Sequence, residues 1–254
     1  MIDAEAIRKL REMNLDDVVD ILEVQQNDTT ITMQTFDERF EAVVEYLYTQ
    51  KYNQKIKNLI SRAKFRFRAD IHDLVYDGRT LDRMKVTELS ACGYVKNNTD
   101  IVLQGYTGSG KTYLACALGK EACIRFNSTR YIRLADLLME YEEAKEINSQ
   151  KVKKVLNKYS RYKVLILDEW LMDELSSDDQ HFLFELMERR YDGGSTIFCT
   201  QYRKENWRSR LGADVHAEAI MDRIVHNAVW IEMGEVNMRE YISKHSVTEI
   251  PEWI

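Results

Sequence analysis

The chain has 254 residues, of which 44% are hydrophobic and 31% charged, with a net charge of −6. That length suits one large α/β domain, or a nucleotide-binding domain with a small accessory domain, and the acidic balance does not by itself mark a nucleic-acid binder. No apolar run approaches the ~20 residues that span a bilayer. The charged start MIDAEAIRKLREMNLDD has no apolar core of a secretory signal, so a cytoplasmic protein without membrane association is expected.

Residues 1–75 read as helical, a small N-terminal all-α domain for DNA or partner binding. Leu15, Val18, Val19 and Leu22 recur at helical spacing. Thr35-Phe36-Asp37-Glu38 is a capping box, whose hydroxyl and carboxylate satisfy free first-turn amides. Phe36, Phe40, Val43, Val44 and Leu47 follow it as an apolar stripe. A further helix carries Ile56, Ile60, Ala63 and Phe67 on one side.

Its other sides are basic. Residues 1–50 hold 4 basic and 12 acidic side chains, whereas residues 51–69 hold 7 basic and no acidic ones. The stripe has two readings. It is either a solvated face offsetting the acids before it, or a salt-dependent, non-specific contact with DNA phosphates. The second reading assigns DNA to Lys55, Lys57, Arg62, Lys64, Arg66 and Arg68. Phe65 and Phe67 read as core residues rather than base-stacking platforms.

From about residue 90 strands and helices alternate, and residues 76–254 read as a second domain. Ile101-Val102-Leu103 is a short strand entering a Gly-rich loop, and Lys111 to about Phe126 is a helix. Thr129 to Leu134 is a second strand, followed by helices over about 135–145 and 148–159. Lys163 to Asp168 is the most apolar strand, as expected of a central strand covered on both faces. Ser177 to Tyr191 is a helix, Gly193-Gly194 a turn and Ser195 to Thr200 a strand. A helix over about 217–227 and a strand from Ala228 to Glu232 complete the pattern. The alternation predicts an α/β fold with a central parallel sheet flanked by helices.

The four cysteines, Cys92, Cys116, Cys123 and Cys199, form no CxxC pair and have no histidine at a zinc-ligand spacing. Buried reduced thiols and no structural metal are expected.

Gly105-Tyr106-Thr107-Gly108-Ser109-Gly110-Lys111-Thr112 matches the phosphate-binding loop pattern G-x-x-x-x-G-K-[ST], with a strand before it and a helix after it. Its glycines let successive N–H groups surround phosphate oxygens, and the helix beginning at Lys111 and Thr112, with Tyr113 in its first turn, adds its positive N-terminal end. Lys111 suits the β- and γ-phosphates of ATP, and Thr112 suits Mg²⁺. Asp168 and Glu169 close the apolar strand some 60 residues on. At the carboxyl end of the sheet Asp168 would help hold Mg²⁺, and Glu169 would polarise an attacking water. Thr196-Ile197-Phe198-Cys199-Thr200-Gln201 is expected beside that strand, so Thr200 or Gln201 would reach the water or γ-phosphate. Arg223 is a candidate for completing a neighbouring subunit's site. Arg189, Arg190 and Arg239 compete with it for phosphate contact.

These residues resemble the IstB-like ATP-binding proteins, helper ATPases of one class of bacterial insertion sequence. That family is related to the helicase loader DnaC and the initiator DnaA within the AAA+ superfamily. The resemblance rests on Thr35 to Phe40, Ser90 to Gly119, Leu165 to Trp170, Leu183 to Tyr191, Thr196 to Gln201, Ala219 to Asn227 and Asn237-Met238-Arg239. It implies an AAA+ P-loop NTPase with no large C-terminal lid, which assembles with ATP on duplex DNA as a homo-oligomer. It further implies that the assembly engages a DDE-type transposase and directs it to target DNA. By position, Thr200 or Gln201 is similar to sensor 1, Arg223 to the arginine finger and Arg239 to a remnant of sensor 2. Family members often carry proline after the first loop glycine, where this chain has Tyr106-Thr107. The chain is also acidic where such helpers are expected to be neutral to basic, so DNA contact would depend on local patches and clustering. A DnaC-like helicase loader is the neighbouring reading. A non-hydrolysing ATP-gated module and a small-molecule kinase stand further off.

Overall fold

The computed structural model describes residues 3–28, 31–213 and 215–245. The chain forms two compact units, Met1–Asn58 and Leu59–Ile254. Among the described residues no helix is long and apolar enough to cross a membrane.

The first unit contains α1 (Ala4–Glu12), α2 (Asp16–Asn27), a 3₁₀ turn (Ile31–Met33) and the start of α3 (Phe36–Ala63). The capping box forms: the Thr35 amide donates to Glu38 Oε2 at 2.8 Å, and the Glu38 amide to Thr35 Oγ1 at 3.3 Å. Gln25 is buried and donates to the Arg39 carbonyl at 2.8 Å, tying α2 to α3. Val43 is buried, but Phe36, Phe40 and Val44 of the expected apolar stripe are exposed. Periodicity identifies an apolar face without saying what covers it. No glycine or proline interrupts the 28 residues of α3. The helix stops at Lys64, whose φ of 57° is the left-handed conformation common just past a helix end.

The boundary between the units therefore falls within α3. Residues 64–82, read from sequence as helical up to 75, are irregular instead. Ala69, Leu74 and Leu81 anchor this stretch in the core of the second unit. Their spacing matches no single helical face, which is why a straight helix cannot bury them together.

The second unit continues with α4 (Arg83–Ser90), α5 (Gly93–Lys96), β1 (Asp100–Gln104), α6 (Lys111–Ile124), β2 (Thr129–Arg133), α7 (Leu134–Ile147) and α8 (Ser149–Ser160). It then runs through β3 (Val164–Asp168), α9 (Ser177–Arg190), β4 (Ser195–Thr200), α10 (Lys204–Arg210), α11 (Val215–Val225), β5 (Ala228–Glu232) and α12 (Met238–His245). The expected boundaries agree to within a few residues, while α4, α5, α10 and α12 carry no clear periodic signal. The expected absence of a lid concerns a stretch whose last residues, 246–254, lie outside the described residues.

All strand pairings are parallel, in the order β2-β3-β4-β1-β5. Alternate residues of each strand enter two separate cores. Ile101, Leu103, Ile166 and Ile197 pack under α4 and α6, and Val102, Leu165, Leu167 and Phe198 under α7 to α11. Every residue of β3 is buried, as its unbroken apolar sequence requires. All four cysteines are buried and unpaired; burial pushes the Cys123 thiol up to about 11 and raises that of Cys199 as well.

Two hydrogen bonds from the end of β4 set up the site. The Cys199 carbonyl accepts the Trp170 amide at 2.8 Å, and the Thr200 carbonyl accepts the Gly105 amide at 3.2 Å.

Candidate functional site

The carboxyl ends of β1, β3 and β4 converge on one end of the sheet, where doubly wound folds bind ligands. The loop leaving β1 turns at Gly108 (φ 83°) and Gly110 (φ 88°), both left-handed. A Cβ at Gly108 would lie 2.3 Å from Asn237 Oδ1, so the position is closed to side chains. The Met238 amide donates to the Gly108 carbonyl at 2.8 Å, fastening the start of α12 to the loop. Lys111 Nζ folds back onto the carbonyls of Gly105 and Tyr106, at 2.7 and 2.8 Å. Burial lowers its pKa.

Opposite the loop, Thr112 Oγ1 donates to Asp168 Oδ2 at 2.9 Å, and the Tyr131 hydroxyl donates to the same oxygen at 2.8 Å. Burial, then the charge of Asp168, raises the Tyr131 phenol above its usual range. Asp168 is 2% exposed. Glu169 follows in a left-handed conformation (φ 58°), a strained choice for a non-glycine residue and a common one at functional sites. Its amide returns to Asp168 Oδ1 at 3.0 Å. Its carboxylate is 39% exposed and stands 3.4 Å from Arg66 Nη1 and 3.9 Å from Arg133 Nη1.

Beside the loop lies a cavity of about 400 Å³. Lys111 and Thr112 line its floor, and Phe67, Leu74, Val75, Met238 and Ile242 give it apolar walls. Arg79 and Arg239 add two further cations. This combination of apolar walls for a base and cations for phosphates fits a nucleotide. Arg79 donates to Ser109 O at 2.7 Å, Val75 O at 3.0 Å and Met233 O at 3.3 Å, and among the described residues its buried Nε has no partner. The neighbouring hydroxyl and carboxylate of Thr112 and Asp168 are oxygen donors of the kind Mg²⁺ takes. Among the described residues no cluster of three or more His, Cys, Asp or Glu side chains could hold a metal. Nucleotide-bound Mg²⁺ needs only one or two protein ligands, the remainder being phosphate and water.

The two sensor candidates separate. Thr200 Oγ1 is buried, donating to Trp170 O at 3.1 Å and accepting the Tyr202 amide at 3.1 Å. Gln201 is exposed and accepts from the Thr107 hydroxyl of the loop at 3.0 Å. Tyr106 is exposed at the loop tip, while Tyr113 lines the cavity. Arg223 on α11 pairs with Glu188, donates to Ala219 O at 2.9 Å and lies 5.1 Å over the Phe184 ring; none of these partners belongs to the loop. Arg239 is in the cavity wall, its amide on Asn237 Oδ1 at 3.1 Å. Arg190 cannot serve phosphate. It is 2% exposed and bonded to the carbonyls of Tyr159, Tyr162 and Ser195 and to Thr196 Oγ1, around the amino end of β4. Arg189 pairs with Asn157 and Glu185.

Of the residues assigned to DNA, Lys55 and Lys57 belong to the first unit, and Arg62, Lys64, Arg66 and Arg68 to the second. Arg66 is turned onto Asp168 and Glu169. The Arg62 carbonyl accepts from Arg130 Nη1 at 3.2 Å, and Lys64 and Arg68 line a separate hollow with Lys120. Phe65 packs against the core, whereas Phe67 is 43% exposed and walls the cavity beside the loop. Arg79, Tyr131 and Arg133 carry no motif in the sequence, and only the fold brings them to the site.

A parallel sheet in this order, with a phosphate-binding loop after β1, acids ending β3 and a polar-ended β4 between them, defines an ATP-binding protein of the AAA+ P-loop class. Its fold is similar to that of the DnaI crystal structure (TM-score 0.55, 23% identity, 72% of this chain and 93% of that one). It is also similar to the replication initiator DnaA bound to AMPPCP and single-stranded DNA (TM-score 0.56, 16% identity, 74% of this chain and 58% of that one). Residues 8–246 match the family of the IstB-like ATP binding protein, and the chain belongs to that family. One relative, from Sinorhizobium fredii, is named an insertion sequence ATP-binding protein, y4uH; it is 32% identical over 75% of this chain and 77% of its own length. Another, named for insertion sequence IS232 of Bacillus thuringiensis, is 25% identical over 84% of this chain and 85% of its own.

Proposed function

We propose that the protein is a DNA-stimulated ATPase that assembles on duplex DNA and directs a DDE-type transposase to its target. The observation that carries the hydrolytic part is the pairing of Thr112 with Asp168, with Glu169 as the next residue at the same edge of the loop. A protein that only bound nucleotide would not need a half-exposed carboxylate there. Lys111 leaves its loop carbonyls to take the β- and γ-phosphates, and Thr112 and Asp168 would hold Mg²⁺. Mg²⁺ bound there would supply the positive charge that offsets the charge developing on the phosphoryl group. Glu169 orients the attacking water, and Gln201 fixes its distance from the loop through Thr107. Arg223 serves a neighbouring subunit's site once assembly draws it from Glu188.

The transposition part is supported by the insertion-sequence names of the relatives. The test measures ATP hydrolysis with and without duplex DNA, together with retention of purified transposase on DNA-bound protein. DNA stimulation with ATP-dependent retention is the expected result. Retention of a replicative helicase in place of transposase would favour the loader reading.

A further inference from the structure

Asp168 is held by more than the loop that faces it. A carboxylate swings about its Cβ–Cγ bond, a torsion with broad preferences, so its lone pairs keep one direction only where both oxygens are tied. Here both are. Oδ1 accepts the Glu169 amide at 3.0 Å, and Oδ2 accepts the Tyr131 hydroxyl at 2.8 Å. Thr112 Oγ1 donates to the two oxygens from the loop side, at 3.2 and 2.9 Å. A hydroxyl has one proton and two lone pairs, so Thr112 can keep its proton on Asp168 while its oxygen faces a cation.

The Tyr131 contact follows from the register of the sheet. Tyr131 pairs with Ile166, and Arg133 with Asp168, in the parallel ladder of β2 and β3. Residues two apart on a strand share a face, so Asp168 is the diagonal neighbour of Tyr131, one long side chain away. Both residues are buried, and a hydrogen bond to an ionised acceptor in such a place is stronger than one in water.

This arrangement bears on which cation fits. An ionised carboxylate has about four lone-pair sites. Three donors spread over both oxygens leave Asp168 room for a single further bond, to a cation or to a water that a cation carries. Mg²⁺ demands a compact octahedron and keeps much of its water, whereas Ca²⁺ takes more oxygens at longer range and readily uses both oxygens of one carboxylate.

We propose that Tyr131 is a positioning residue that sets the cation preference of the nucleotide site: its hydroxyl holds Asp168 in the single-bond orientation that suits Mg²⁺ and denies the two-oxygen contact that Ca²⁺ favours. This rests on the reading of Thr112 and Asp168 as the pair that would hold the cation of the nucleotide. The residue lies in the middle of a strand that supplies no part of the phosphate loop, and it acts only through the acid it orients.

The test uses the full chain, the variant Tyr131→Phe, which removes the hydroxyl and keeps the ring, and Tyr159→Phe as a control. The Tyr159 hydroxyl also donates to a carboxylate, that of Glu140 at 2.6 Å, in a pair outside the cavity beside the loop. Affinity for a fluorescent, non-hydrolysable ATP analogue is measured in EDTA, in saturating Mg²⁺ and in saturating Ca²⁺. In the wild type Mg²⁺ is expected to strengthen binding more than Ca²⁺ does. In Tyr131→Phe that preference should fall by about tenfold, the size of one hydrogen bond to a charged acceptor, with affinity in EDTA unchanged. Tyr159→Phe keeps the wild-type preference. An unchanged preference in Tyr131→Phe overturns the proposal, and so does a loss of affinity in EDTA as large as the loss in Mg²⁺, which would make Tyr131 a packing residue. A wild type that responds equally to both cations overturns it without recourse to a variant. If neither cation strengthens wild-type binding, the reading of Thr112 and Asp168 as the cation's ligands fails first and takes the proposal with it.

Discussion

Thr112 Oγ1 donates to both carboxylate oxygens of Asp168, at 2.9 and 3.2 Å, joining the first turn of α6 to the end of β3 where a phosphate-bound cation would need its protein ligands. Glu169 is one residue on. Replacing Glu169 by Gln removes the base without changing its size. Hydrolysis is expected to fall by about 10²–10³-fold with ATP affinity retained, since a positioned base contributes on that scale. Lys111→Ala should lose both hydrolysis and tight binding. Steady-state rates with parallel ATP-binding titrations separate the two; equal loss of binding in both variants would refute the assignment of Glu169 as base.

Arg79 has three carbonyl acceptors and, among the described residues, no acidic partner, although it is half-buried in the cavity beside the phosphate loop. Burial lowers its pKa, so a negative ligand would relieve the cost of holding that charge there. Arg79→Gln is expected to weaken ATP and ADP binding by roughly tenfold, the size of one charge-assisted hydrogen bond. Adenosine affinity should be nearly unaffected. Calorimetric titrations with the three ligands check this; an equal loss for adenosine would mean that Arg79 only braces the backbone.

Asp100 begins β1, at the end of the sheet away from the loop, where it accepts the Thr196 amide at 2.6 Å beside Arg190. Burial pushes its carboxyl up from 3.8 to about 7. An acid raised in the folded state binds its proton more tightly there than in the unfolded chain. Its contribution to stability is therefore greatest below pH ~4, declines as pH rises to about 7 and stays low above that. Asp100→Asn should be more stable than wild type at pH 8, by about 2–4 kcal/mol, and so melt higher, with the advantage shrinking as pH falls. Thermal melts from pH 5 to pH 8 test the sign; an advantage that grows as pH falls would contradict it.

Gly119 lies inside α6, where alanine would ordinarily add helix stability of about 1 kcal/mol. Here a Cβ would stand 2.6 Å from the Phe65 ring and 2.8 Å from Ile166 Cδ1. Overpacking wins, and Gly119→Ala is expected to cost about 1–3 kcal/mol. Chemical denaturation measures it, and an unchanged midpoint would show that Phe65 moves aside freely.

Much of the ATP-binding core was legible because its signals are local. The loop needs glycines at fixed spacing, and β3 is apolar throughout because both faces are covered. The separation of Thr200 from Gln201 was not legible. Which of two adjacent polar residues faces the loop depends on the pleat at the end of β4 and on the Trp170 carbonyl it meets. The cavity walls were equally hidden: Leu74, Val75 and Arg79 sit in backbone without periodicity, and Arg79 acts on carbonyls that every residue possesses. The exposed Phe36–Phe40 face shows the converse, a clear pattern whose cover is not encoded in the pattern itself.

The end of β4 works as a calliper. Its two last carbonyls grip the entry of the phosphate loop at Gly105 and the turn beyond the acids at Trp170. The gap between the group that would hold phosphate and the group that would hold water is thus gauged by one rigid strand end. Gln201, the next residue along, is exposed and accepts from the Thr107 hydroxyl, so the same strand end that spaces the two groups also touches the loop at the surface.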